Sequence, residues 1–333
     1  MRLLVTGGAG FIGSNLVLFL LSRRKDISLL NLDKLTYASD LSYLKPVENN
    51  PDYRFIRADL VDRNAVREIV QDLRPDGVMH LAAESHVDNS IKGPEPFVLS
   101  NVVGTFNILE ECRQLWLRDP DSFAKKRFLH VSTDEVYGSL GAEGMFTEKT
   151  PYAPNSPYSA TKAGSDFLVR SYFKTFGMNV VTTNCSNNFG PHQHDEKLIP
   201  TVIRKALDHE PIPVYGKGEN VRDWLYVSDH CNAILSVFEK GRSGETYIVG
   251  GHNEWKNIDL VRLMCDILNE LAGEGPDGDY KNLITYVTDR AGHDLRYAID
   301  PSKIQNEIGW KPELQFEEQL RKTLEWYVRR YGK

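Results

Sequence analysis

The first thirteen residues constrain this chain more than any other stretch. Arg2-Leu-Leu-Val-Thr6 has strand length and apolar character, and Gly7-Gly-Ala-Gly10-Phe-Ile-Gly13 follows at once. The apolar-periodic run Asn15 to Leu21 then reads as a helix. Strand, glycine turn, helix is the context that gives a dinucleotide fingerprint its meaning. The first glycine permits the tight turn, the second lets a pyrophosphate approach the backbone, and the third lets the helix pack closely. Amides at the helix N-terminus then face the phosphates. A second strand, Ile27 to Leu32, runs into Asp33, 20 residues past Gly13, where a carboxylate meets an adenosine ribose. Asp33 repels a 2′-phosphate, so the pattern favours NAD over NADP.

Beyond Asp33 strands and helices alternate. Strands are expected at Tyr53–Arg57, Gly77–Leu81, Arg127–Ser132 and Asn179–Asn184, and helices at Arg63–Leu73, Pro96–Trp116 and Ser156–Phe176. Such alternation means parallel strands joined by crossover helices, an α/β Rossmann-like doubly wound sheet. Ligands bind such sheets beyond the carboxyl ends of the strands. The candidate residues fall there: Gly7–Gly13, Asp33, Asp59, Ala82–Ser85 and Thr133–Glu135 follow the first five strands in turn. After about residue 185 the texture changes. Prolines at 191, 200, 211 and 213 interrupt the chain, strands shorten, and helices are expected near Leu198–His209, Ser228–Lys240, Ile258–Leu271 and Phe316–Tyr331. The expected division is 1–185, the NAD-binding part with the catalytic residues, and 186–333, a smaller α/β substrate-binding part, with segments crossing between them.

The net charge of −6 gives no electrostatic support for a nucleic-acid partner. The four cysteines, Cys112, Cys185, Cys231 and Cys265, are widely spaced, without metal-ligand or disulfide patterning, and read as reduced thiols. No signal-peptide layout or membrane-length apolar run is present, so a cytoplasmic protein is expected. His192 and His194 invite a metal reading, but without a clear third ligand they read as loop and no metal is expected.

Tyr158-x-x-x-Lys162 lies in the expected helix after the fifth strand, with both residues on one face. A nearby ammonium lowers a phenol's pKa, so Tyr158 is a candidate base for a substrate hydroxyl as hydride leaves the same carbon. A solvated helix face is the bland alternative for the pair alone. Thr133-Asp134-Glu135 adds two carboxyls that simple hydride transfer does not need. They fit an acid and a base for an elimination, provided their protonation differs.

With these motifs in place, the chain resembles the dTDP-glucose 4,6-dehydratases of the extended short-chain dehydrogenase/reductase superfamily nearly end to end. The resemblance rests on Leu3–Gly13, Leu32–Ala38, His80–Asp88, Ser132–Gly138, Tyr158–Lys162, Asn184–Asn188, Glu196–Pro200, Arg222–Val227 and Gly292–Asp294. It implies oxidation at C4 of the hexose, loss of water across C5 and C6, and hydride return to C6. Glu135 is then the C5 base, Asp134 the C6 acid, and Thr133 a partner near O4 beside Tyr158 and Lys162. Cofactor contacts carry over to Gly7, Gly10, Phe11, Ile12, Gly13, Asp33, Lys34, Leu35, Thr36, Asp59, Leu60, Leu81, Ala82, Ala83, Ser85, Ser100 and Asn188. Substrate contacts carry over to Ser85, Thr133, Asn187, Lys197, Leu198, Pro213, Val214, Tyr215, Arg222, Asn257, Asp289, Arg290, His293 and Tyr297. Arg222 and Arg290 are the expected diphosphate forks. The family pattern is departed from at Asn89, Ser100, Phe189, Ala291 and Leu295. A homodimer through helices Pro96–Trp116 and Ser156–Phe176 is inherited from the superfamily. The same chemistry on UDP-glucose, a UDP-hexose 4-epimerase and a non-enzymatic NAD sensor are the rival readings; the last two have no need of both carboxyls.

Overall fold

The computed structural model describes residues 1–289, 293–313 and 315–332, apart from the side chains of Asp121 and Ser122. The expected fork Arg290 lies outside the described residues. Twelve strands are described: β1 Arg2–Thr6, β2 Ser28–Asp33, β3 Tyr53–Arg57, β4 Gly77–His80, β5 Arg127–Thr133, β6 Val180–Cys185, β7 Asn187–Phe189, β8 Ile212–Tyr215, β9 Val221–Tyr226, β10 Thr246–Val249, β11 Glu254–Lys256 and β12 Ile284–Val287. Seven form one sheet in the order β10-β6-β5-β4-β1-β2-β3, and every neighbouring pair is parallel. The order reverses between β1 and β4, which opens a crevice at their carboxyl ends.

Local sequence explains the main elements. Leu3, Leu4 and Val5 of β1 are fully buried, as a strand covered on both faces requires. Helix Arg63–Leu73 starts at Asp62, whose carboxylate accepts from the N–H groups of Asn64 and Ala65, and its Val66 and Val70 face inward. Helix Pro157–Phe176 begins with a capping box at Ser156 and ends at Gly177, which is left-handed. One face of the large sheet packs against helices Phe11–Arg23 and Val227–Lys240. The other packs against Arg63–Leu73, Thr105–Trp116 and Pro157–Phe176.

Two stretches beyond residue 186 join the core of the large sheet. Leu225 to Val249, including strand β10, and Ile304 to Trp310 share a buried cluster with β1 and helix Phe11–Arg23. The remaining C-terminal segments form a second core around helices Leu198–Leu207, Asn257–Ala272 and Phe316–Arg330. Two small sheets, β11-β9-β7 and β12-β8, accompany them.

The single helix expected over Pro96–Trp116 is instead an α turn at Glu95–Phe97, a π-helical stretch Val98–Gly104, and helix Thr105–Trp116. The wide turn arises where the helix passes the sheet edge. Its Asn101 is buried and makes paired bonds with the backbone of Glu84, accepting at 2.8 Å and donating at 3.0 Å. Gly104 lets the helix run close to Leu60, whose Cβ lies 3.1 Å from where a side chain would begin. π turns concentrate at functional sites, and this one presents Ser100 to the crevice.

Candidate active site

A deep cleft runs along the carboxyl edge of the large sheet. At one end the glycine turn sets the geometry. Gly7 has φ +74°, and a Cβ there would fall 2.7 Å from the Ala82 backbone. A Cβ on Gly13 would fall 2.0 Å from the Gly7 carbonyl oxygen, so the third glycine is what lets the helix approach the turn. Helix Phe11–Arg23 has Gly10 as N-cap, with no side-chain cap and no acidic residue in its first turn. Gly10, Phe11, Ile12 and Gly13 line the cleft, so an anion is the natural partner for these amides.

Asp33 is buried at the end of β2 and accepts from the N–H of Ala9 at 3.0 Å, the N–H of Leu35 at 2.8 Å and the Ser39 hydroxyl at 3.1 Å. It therefore ties the glycine turn to its own loop as well as facing the cleft. Lys34 sits 2.9 Å from the Glu84 carboxylate and donates to the Ser100 hydroxyl at 2.8 Å. Thr36, Asp59, Leu60, Leu81, Ala82, Ala83, Ser85, Ser100 and Asn188 line the same cleft. Leu35 does not; its left-handed backbone, φ +60°, places it in a shallow side recess with Arg57 and Asp59. A long cleft with an amide-lined anion end and a carboxylate at the ribose position fits NAD.

At the other end stand the five expected catalytic residues, all on the cleft wall. Tyr158 and Lys162 project from the first turns of helix Pro157–Phe176, whose start is steadied by the Tyr158 N–H donating to Ser90 Oγ at 3.2 Å. Lys162 is buried, and its ammonium donates to the Val131 carbonyl at 2.9 Å. Thr133 ends β5 and caps the tight turn Asp134–Tyr137; its hydroxyl accepts from the Glu135 N–H and donates to Asp134 Oδ1, both at 3.3 Å. Asp134 is 1% exposed, and its Oδ2 has no hydrogen-bond partner among the described residues.

Electrostatics separate the roles. Burial, then the neighbouring Glu135 and Asp223, push the Asp134 carboxyl well above the usual range, against the opposing charge of Arg222. The surroundings of Asp134 thus favour its neutral, protonated form. The phenol differs from the expectation that Lys162 lowers it. Burial, then Glu135, Cys185 and Asp134, drive Tyr158 upward. In the protein alone desolvation and carboxylates outweigh the ammonium, so the phenol holds its proton.

The substrate candidates divide into two groups. Ser85, Thr133, Asn187 and Lys197 line the cleft, and Lys197 Nζ donates to the Ser85 carbonyl at 3.2 Å. Leu198 opens the helix that follows. Pro213, Val214 and Tyr215 lie on β8, which pairs with β12. Just past β12, Asp289 Oδ1 is 2.6 Å from His293 Nδ1, whose ring stands edge-on to Tyr215. Arg222 is buried on β9; its guanidinium donates to the carbonyls of Val221 at 2.7 Å and Asp294 at 2.9 Å and lies 4.3 Å from the Tyr297 ring centre. Tyr297 donates to Asp294, and the Asn257 N–H donates to the Asn220 carbonyl at 3.0 Å. This second group does not line the cleft described above. It borders the catalytic turn, since Arg222 acts on Asp134 and Glu135 acts on Tyr297.

Gln193, His194 and Glu196 also line the cleft, although none is among the expected site residues and His194 is expected only as loop. Glu196 accepts from the Tyr37 hydroxyl at 3.4 Å and lies 3.7 Å from both His86 and His194. The signal was present in Glu196–Pro200, but the loops it joins meet only in the fold. His192 stacks on Tyr43 at 4.1 Å and sits 3.0 Å from Ser14 Oγ, which is a packing role.

The fold and the site define an NAD-binding α/β protein with a Tyr/Lys pair and an added acid–base turn. The family profile described as GDP-mannose 4,6 dehydratase matches residues 4–323. The dTDP-glucose 4,6-dehydratase of Xanthomonas campestris pv. campestris (strain B100) is 55% identical over 326 residues, covering 98% of this chain and 92% of that protein. The protein of that name from Escherichia coli is 52% identical, with 98% and 94% covered. Among solved structures, the dTDP-glucose 4,6-dehydratase of Streptomyces venezuelae with NAD and TYD bound superposes with a TM-score of 0.90 at 43% identity, covering 100% of this chain and 98% of that one. A UDP-glucose 4-epimerase of Thermotoga maritima with UDP-glucose shares the fold at TM-score 0.87 and 26% identity, with 100% of both chains covered. The chain belongs to the dTDP-glucose 4,6-dehydratase family.

Proposed function

We infer that this protein converts dTDP-glucose to dTDP-4-keto-6-deoxyglucose and water. The observation that carries the reading is the Thr133–Glu135 turn beside Tyr158 in a cleft that fits NAD. Bound NAD supplies a hydride acceptor for C4 of the sugar and later a donor for C6. Every other task falls to this chain. Tyr158 takes the proton of the C4 hydroxyl as its phenolate, a form that the positive charge of bound NAD would favour, and Thr133 holds O4. The transient ketone acidifies C5–H, which Glu135 removes, and C5 is reprotonated when hydride returns to C6. Asp134, protonated through its burial, gives a proton to the leaving C6 oxygen. Lys162 stays anchored on the Val131 carbonyl, one turn along the helix from Tyr158. A 4-epimerase on the same fold has no elimination step and no use for this acid–base turn.

The test is turnover of dTDP-glucose, read as the ketosugar chromophore in alkali, with UDP-glucose as the comparison substrate. We expect dTDP-glucose to give the higher kcat/KM, and no ketosugar from either substrate would end the reading. Glu135→Gln is expected to lower turnover roughly 100- to 10,000-fold while reduced cofactor still accumulates in a single turnover. Full dehydration by that variant would refute the C5-base role.

A homodimer is part of the proposal. Val98, Leu99 and Phe167 are 46%, 39% and 58% exposed on the two helices expected to pair, and light scattering of the purified protein decides it. A cytoplasmic setting is supported by four buried, unpaired cysteines. Among the described residues no helix is long and apolar enough to cross a membrane.

A further inference from the structure

The catalytic helix carries a third buried ionisable side chain. Tyr158, Lys162 and Asp166 follow one another at four-residue steps along Pro157–Phe176, and all three are buried. Asp166 is 4% exposed, and a carboxylate so placed persists only where donors satisfy it. Its Oδ2 accepts from Ser132 Oγ at 2.9 Å, the Tyr152 hydroxyl at 2.9 Å and Asn184 Nδ2 at 3.2 Å. Its Oδ1 lies 3.1 Å from His130 Nε2. These groups come from β5, from β6 and from the loop after the Asp134–Tyr137 turn.

The same strand end is held at neighbouring points. Lys162 donates to the Val131 carbonyl at 2.9 Å, and Asn184 Nδ2 donates to the Thr133 carbonyl at 3.1 Å. Helix and β6 together therefore engage residues 130 to 133 one after another. Thr133 is the cap from which Asp134 and Glu135 hang.

Charge gives a second, separate argument. The groups facing Lys162 are Tyr158 and Asp166 on its own helix, His130 on β5, His80 on β4 and Cys185 on β6. Burial holds His130 down to about 4 and His80 well below its ordinary value, so both are neutral. Burial likewise pushes the Cys185 thiol up to about 12. Lys162 is itself lowered by burial, with Asp166 the leading opposing influence. Asp166 is thus the foremost carboxylate acting on the buried Lys162.

We propose that Asp166 is a positioning residue of this site: its carboxylate balances the Lys162 ammonium and clamps the end of β5, keeping Tyr158 and the Thr133–Glu135 turn at a fixed separation. The proposal rests on the dehydratase reading for the reaction it serves, but its geometry and the lysine titration do not depend on substrate identity.

The experiment is Asp166→Asn in the NAD-loaded protein, which keeps size and one acceptor and removes the charge. Lys162 is followed by NMR of isotope-labelled lysine, and C4 oxidation is followed as a function of pH, a step in which Asp134 moves no proton. Lys162 is expected to titrate about one unit lower. Oxidation is expected to slow about tenfold, with KM changed less than twofold, and to be lost at lower pH than in the parent. An unchanged lysine titration with a lowered Tm alone would reduce Asp166 to a structural role and overturn the proposal. Tyr152→Phe and Ser132→Ala keep the charge and remove one donor each. They should slow oxidation severalfold and leave the lysine where it was, and parental rates in both would overturn the clamp, even where Asp166→Asn fails to fold. If the parent makes no ketosugar while the lysine shift appears, the substrate reading fails and the proposal stands.

Discussion

At the cofactor end of the cleft one short segment, Gly7 to Gly13, sets the geometry, whereas the proposed nucleotide end, outside the cleft wall, draws on residues from β8, β9 and the chain beyond β12. The first is local in sequence and fixed by backbone sterics: one added Cβ meets a carbonyl at 2.0 Å. The second is built from side chains that already hold one another, with Arg222 on three main-chain carbonyls and His293 against Asp289. A phosphate-binding turn can be specified by its own residues, while a sugar-nucleotide pocket depends on which distant strands the fold brings together. Asp134 lies on the catalytic turn between them and feels Glu135 beside it and Asp223 and Arg222 on β9.

That junction carries the largest expected effect. Asp134→Asn should lower turnover roughly 100- to 10,000-fold, the range for loss of a general acid. In the parent, activity should fall as pH rises through the raised Asp134 pKa, because the acid must be protonated. A pH–rate profile checks both points, and an Asn variant with parental kcat would separate the junction from the chemistry. Next comes the cofactor end. Gly13→Ala should weaken NAD binding about a hundredfold through overpacking against Gly7, read as NAD content of the purified protein. Full NAD retention would show that backbone sterics do not set this end. The nucleotide end should respond more mildly. Arg222→Gln is expected to raise KM for dTDP-glucose about tenfold with NAD content unchanged. Since Arg222 pulls Asp134 downward, its loss should also move the alkaline limb to higher pH. A shift to lower pH, or lost NAD, would dissolve the distinction between the two ends.

Much of the molecule is legible in its sequence because the rules are local. A buried strand, a glycine turn and an apolar helix follow from neighbouring residues, and so does the capped helix that presents Tyr158 and Lys162. The π-helical stretch was not legible: Val98 to Gly104 reads as ordinary helix, and only the bonds from Asn101 to Glu84 show what the wide turn accommodates. Nor was the direction of the Tyr158 shift. The spacing to Lys162 is visible in sequence, but the burial and the two carboxyls that outweigh it are not.

The order of residues by itself determined the parallel sheet, the cofactor turn and the adjacency of Asp134 and Glu135, since each is fixed by steps of a few residues. Tertiary structure alone decided that β10, from residue 246 onward, completes the sheet, that Glu196 lines the cleft, and that Asp166 lies under Ser132 and Asn184. These contacts join segments far apart in the chain, and their energies depend on burial, which no short stretch of sequence encodes.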